Sequence, residues 1–131
     1  MSVAVGFVPT DEGRIALQSA IDEAALRSTN LRILGPALAE NTPAAQAELT
    51  EALKRAADLG VPAVVRDMEG DDDPGDLIVD VSFEDDVELV VIGVRRRSRV
   101  GKLILGSTAQ RVILEAGCPV HAVKPSVGPR G

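Results

Sequence analysis

Residues Glu88–Gln110 read ELVVIGVRRRSRVGKLILGSTAQ. The first seven, Glu88–Val94, hold the apolar run Leu89–Ile92, followed by Gly93 and Val94. An apolar run without alternation predicts a strand buried on both faces, as at the centre of a parallel sheet. A basic, glycine-bearing stretch follows, and from Ser107 the apolar residues Val112, Ile113 and Ala116 recur at helical spacing. Strand, glycine-bearing loop and helix in succession predict one half of a βαβ unit.

The same alternation extends outward in both directions. Ser2–Val8 reads as a buried strand bounded by Pro9. Thr10 or Asp11 caps a helix with Leu17, Ile21, Ala24 and Ala25 on one face, ending near Ser28–Asn30. Leu31–Leu34 is a second strand, stopped by Gly35-Pro36. Thr42 followed by Pro43 is a helix start, and Leu49, Ala52, Leu53 and Ala56 form its apolar stripe as far as Gly60. Ala63–Val65 is a third strand. Asp73-Pro74 starts a helix carrying Leu77, Ile78 and Val81. Beyond the fourth helix, stopped by Gly117, Pro119–Val123 is the last strand. The order βαβαβαβαβ predicts an α/β fold, with a parallel sheet and helices on both faces. Ligands of such sheets bind beyond the carboxyl ends of the strands, where strand order reverses. Residues 1–124 are expected to be one domain and 125–131 a flexible tail.

Composition narrows the function. The chain has 131 residues, enough for a single core. It has no Trp, no Tyr and two Phe, which excludes a base-stacking platform for single strands. A net charge of −6 makes it a poor generic nucleic-acid binder. One cysteine, Cys118, excludes an internal disulfide, and one histidine, His121, excludes a multi-His metal site. No apolar run reaches the ~20 residues of a membrane span, and the N-terminus lacks a signal-peptide pattern. A cytoplasmic location is the expectation.

The charge is uneven. Six of the 14 basic residues (Arg95, Arg96, Arg97, Arg99, Lys102 and Arg111) lie between 95 and 111, and no acid occurs between Glu88 and Glu115. A glycine-bearing loop, arginines and a helix N-terminus are the ingredients of a phosphate site. The competing reading is a solvated loop, with Ser107 capping its own helix through the box Ser107-Thr108-Ala109-Gln110.

The pattern Gly93-x2-Arg96-x9-Gly106-Ser107, between an apolar strand and a helix closing on CPVHAVK, resembles the universal stress protein family and its signature G-x2-G-x9-G-[ST]. The EGRIALQSAIDEA helix and the βα order extend the resemblance over nearly the whole chain. It implies an open five-stranded Rossmann-like sheet in the order 3-2-1-4-5, a homodimer through the last strand, and in some members bound ATP. It also implies a role in stress response. Carried onto this chain, the phosphate site would be Gly93, Arg95, Arg96, Ser98, Gly101, Gly106, Ser107 and Thr108.

Three positions depart from the family pattern. The Asp that helps hold the nucleoside falls on Val8, which accepts no hydrogen bond; Asp11 sits three residues too late. The adenine-reading backbone falls on about Pro36, which has no N–H, unless the register is one residue off. The second glycine of the signature is Arg96, whose guanidinium could replace backbone donors to phosphate. The expectation is an adenine nucleotide, ATP or AMP, held with weak or altered affinity, and no metal beyond nucleotide-bound magnesium. The alternative is a dimeric interaction protein with a vestigial site.

Other residues yield less. Cys118 reads as a small core residue, His121 as a histidine at a sheet edge, and Asp71-Asp72-Asp73 as a solvated acidic loop. No catalytic set can be assembled around His121 alone, so no enzymatic activity is expected, and neither nucleic acid nor membrane is expected as a partner.

Overall fold

The computed structural model describes residues 1–70, 72–95 and 105–124. Five strands, β1 (Ser2–Gly6), β2 (Asn30–Leu34), β3 (Ala63–Arg66), β4 (Val87–Gly93) and β5 (Val120–Val123), form one sheet. Its order is β3-β2-β1-β4-β5 and every pairing is parallel. The connections are α1 (Asp11–Arg27), α2 (Pro43–Asp58), α3 (Pro74–Ser82) and α4 (Ser107–Glu115).

Side-chain alternation along the strands divides the core into two layers. Val3, Val5, Leu31, Ile33, Leu89 and Val91 face α1 and α2, where they meet Leu17, Ile21 and Leu49. Ala4, Leu34, Val90 and Ile92 face α3 and α4, against Ile78, Val81 and Val112. Val90 and Val91 are both fully buried, as the run ELVVIGV predicts for a central strand.

Three helices begin with a side-chain cap. Thr10 Oγ1 accepts from Gly13 N at 3.1 Å, Thr42 Oγ1 from Ala45 N at 3.1 Å, and Asp73 Oδ1 from Gly75 N at 3.3 Å. Pro43 and Pro74 occupy the first turns of α2 and α3, where no N–H is needed.

Several expectations need correction. The first strand ends at Gly6, not Val8; Phe7 N still donates to Leu34 O at 2.7 Å, and the chain bends at Pro9 and Thr10. Ile113 is 41% exposed; in α4 it is Ala109 and Val112 that point inward. Ala25 and Leu53 are half-buried and pack against the core, as their place on the apolar faces predicts. A 3-10 turn, Leu38–Glu40, lies in the connection that leaves β2. Residues 125–131 lie outside the described residues.

Candidate functional site

The strand order reverses between β1 and β4, whose crossovers leave to opposite faces. Beyond their carboxyl ends lies a cavity of about 340 Å³. That volume falls within the range of small-molecule sites.

Two glycines let α1 start directly above the strand ends. A Cβ on Gly13 would lie 1.8 Å from the Val8 carbonyl oxygen, and one on Gly93 would lie 2.3 Å from the Glu12 carbonyl oxygen. Both distances are far inside van der Waals contact and involve backbone atoms, so the neighbours cannot yield cheaply. Gly93 therefore makes room for the first turn of α1. The group that approaches Gly93 closely is backbone of the same chain.

The cavity is lined by two chemically different sets of residues. Phe7, Val8, Ala37, Met68, Ile78 and Ile92 supply apolar wall. Arg95, Gly106, Ser107 and Thr108 supply a cation and the start of α4. Gly106 is the N-cap of α4 and makes no side-chain capping bond. Ser107 is the first helical residue, not a cap, which corrects the capping-box reading. Gly106 therefore leaves the first-turn N–H groups of α4 without a cap from its own position, and the positive end of the helix dipole lies at the cavity. Among the described residues, nothing lies within 4 Å of a Cβ built on Gly106.

Of the sequence-predicted site residues, Gly93, Arg95, Gly106, Ser107 and Thr108 all line this one cavity. Arg96, Ser98 and Gly101 lie outside the described residues. Arg111 belongs to the same run of basic residues in sequence but is engaged elsewhere. Its guanidinium meets Asp73 at 3.0 Å, Glu115 at 3.2 Å, and Asp76. Ion pairing, chiefly the hydrogen bond with Asp76, holds its pKa above the usual arginine value. It ties α4 to α3 and is not among the residues lining the cavity.

The two positions expected to depart from the family pattern on the nucleoside side differ in placement. Val8 lines the cavity and is 38% exposed, so an apolar side chain stands there. Pro36 is buried and does not line the cavity, whereas Ala37 does. Ala37 has the backbone N–H that proline lacks.

Sequence reading missed Glu12, Glu40 and Met68, which also line the cavity. The Glu12 carboxylate accepts from Arg95 Nε at 3.4 Å and its side chain is 21% exposed. The available signal was Gly13: a glycine in the first turn of a helix marks close packing, which carries its neighbour's side chain into the strand-end crevice.

The remaining candidates have local partners. Cys118 is half-buried against the α3–α4 layer, and burial pushes its thiol pKa up, away from the reactive thiolate. His121 is exposed on β5, with Nδ1 3.8 Å from Glu23 Oε1. Asp72 accepts from Glu69 N at 2.9 Å and Asp73 caps α3; Asp71 lies outside the described residues. Among the described residues no group of three His, Cys, Asp or Glu side chains is placed to hold a metal ion. No helix there is long and apolar enough to cross a membrane.

Comparison with known proteins agrees with this architecture. A universal stress protein of Mycolicibacterium smegmatis is 39% identical over 127 residues, covering 94% of this chain and 97% of its own. The solved universal stress protein of Archaeoglobus fulgidus superposes with a TM-score of 0.73 at 32% identity, covering 95% of this chain and 98% of that one. A crystal structure of a universal stress protein in complex with cAMP superposes with a TM-score of 0.72 at 27% identity, covering 96% and 98%. The family profile described as Universal stress protein family matches residues 1–124. With this fold, this strand order and this match along nearly its whole length, the chain belongs to the universal stress protein family.

Proposed function

We propose that this domain binds a phosphate-bearing small molecule, an adenine nucleotide, in the strand-end cavity as part of a stress response. The observation that carries the reading is that one cavity joins apolar wall to the start of α4 and Arg95. The apolar wall suits a purine ring, and the backbone of Ala37 lines the same cavity. First-turn amides, the Ser107 and Thr108 hydroxyls and a guanidinium suit phosphate oxygens. A related structure of this fold is described in complex with cAMP, an adenine nucleotide. Val8 leaves the ribose without the acceptor that a carboxylate would offer, so phosphate contacts outweigh nucleoside contacts. Arg96, Ser98 and Gly101 complete the phosphate site in this reading. Magnesium enters only with the nucleotide.

Absence of Trp and Tyr makes the test direct, since bound nucleotide then dominates near-ultraviolet absorbance. The chain is passed through a column equilibrated in ATP and magnesium, and again in AMP. Excess absorbance near 260 nm in the protein peak, weakened about tenfold or more in affinity by Arg95→Ala, is expected from loss of a charge-assisted hydrogen bond. No excess at millimolar nucleotide would overturn the reading and favour a dimeric interaction protein with a vestigial site.

The same proposal includes a homodimer through β5. In the sheet order β5 stands at one end, with β4 as its strand neighbour, and His121 and Ala122 on it are exposed. An exposed edge is a template for pairing with a second chain.

A further inference from the structure

The position of Glu12 follows from backbone packing. Thr10 caps α1, Gly13 lies against the Val8 carbonyl, and the Glu12 backbone lies over Gly93. Its carboxylate is thereby committed to the point where strand order reverses, lining the cavity beside Arg95. The Glu12–Arg95 contact is a loose one at 3.4 Å, and the Arg95 side chain is 58% exposed. An exposed pair of that kind is weak and readily exchanged for a phosphate. Charge opposition is less easily lost. A cavity of about 340 Å³ is roughly 9 Å across as a sphere, comparable with the screening length of about 8 Å at physiological salt. A phosphate at the α4 end therefore feels the carboxylate.

We propose that Glu12 sets the charge preference of the cavity: it occupies Arg95 in the empty site and opposes every further negative charge that a ligand brings. This rests on the reading of the cavity as a nucleotide site. Glu40, on the 3-10 turn, adds a second carboxylate to the wall. Among the described residues the ionised side chains lining the cavity are Glu12, Glu40 and Arg95. A carboxylate held in that wall penalises a polyphosphate more than a monophosphate.

The test is equilibrium dialysis of adenosine, AMP and ATP, without magnesium, against the parent chain, Glu12→Gln and Glu12→Asp. Glu12→Gln conserves shape and removes charge. Each unit of opposed charge is expected to change affinity about three- to tenfold at this separation. Glu12→Gln is therefore expected to raise ATP affinity about tenfold more than AMP affinity and to leave adenosine unchanged. Glu12→Asp keeps the charge and is expected to keep the parental ratio. An ATP-to-AMP ratio equal in parent and Glu12→Gln would overturn the proposal while leaving the nucleotide site standing. An equal loss for all three ligands would also overturn it, making Glu12 a contact to the nucleoside. If neither parent nor variants took up AMP or ATP, the nucleotide reading would fall and this proposal with it.

Discussion

Two glycines that look alike in sequence do different work. The space beside Gly93 is filled by the Glu12 backbone, so Gly93→Ala is expected to cost about 1–3 kcal/mol through overpacking. A denaturant titration measures it, and an unchanged midpoint would mean that α1 can lift off the strand ends freely. Gly106 has no described residue within 4 Å of a Cβ and an ordinary φ of −65°, so Gly106→Ala is expected to alter stability by less than about 0.5 kcal/mol. Its effect should appear instead in nucleotide affinity, where a methyl group separates phosphate from the helix terminus. Unchanged affinity on dialysis would place the phosphate elsewhere. Sequence pattern identified both glycines, yet only packing separates the one needed for folding from the one available to a ligand.

At the scale of elements, two ion-pair groups fasten opposite ends of the sheet. At the amino end, Arg32 on β2 donates to Glu84 at 3.0 Å and to Asp86 at 2.5 Å, and Ser2 on β1 donates to Asp86 at 3.1 Å. Desolvation alone would raise the Asp86 pKa, but the hydrogen bonds from Arg32 and Ser2 prevail and hold it below the usual carboxylate range. A pKa depressed on folding contributes stability that is complete above the unfolded value of about 4 and is lost as pH falls through the folded value. Asp86→Asn is therefore expected to make the loss of stability below about pH 4 shallower, as read by unfolding titrations across that range. A parallel curve would show the pair to be neutral in folding. Near the cavity, Arg111 joins α4 to Asp73 and Asp76 of the α3 start. Arg111→Ala is expected to speed amide hydrogen exchange in α4 more than in β4, because a nine-residue helix depends on tertiary contacts. Uniform exchange rates would deny the clasp.

For the whole molecule, both ends of the sheet are edges, and they are not equivalent. β3 ends one side with exposed Val64, and β5 the other with exposed His121 and Ala122. Beside β5 in sequence, α4 leaves Leu114 77% exposed. Under the proposed β5 dimer, light scattering is expected to give twice the chain mass of 13.7 kDa. Ala122→Pro, which removes an edge N–H, is expected to lower the apparent mass. A monomer at working concentration would remove the dimer from the proposal while leaving the strand-end cavity untouched.

The layer architecture was legible in residue order because hydrophobic periodicity is local: ELVVIGV must be buried on both faces, and a stripe such as Leu49–Ala52–Ala56 must pack on one. Helix starts were legible for the same reason, since Thr42-Pro43 and Asp73-Pro74 act within a single turn. Gly93, Arg95, Gly106, Ser107 and Thr108 could be placed at one site because the rule about strand ends converts order into location. Three-dimensional packing alone decided the rest. Arg95 and Arg111 are the same residue in the same basic run, yet one faces the cavity and the other is taken by three carboxylates from two helices. Glu12 is an ordinary first-turn acid in sequence and becomes a wall of the site only because Gly13 and Gly93 let the α1 backbone descend onto β1 and β4. Side-chain charge is a property of residue type, whereas the partner that neutralises it is set by which distant elements the core brings together.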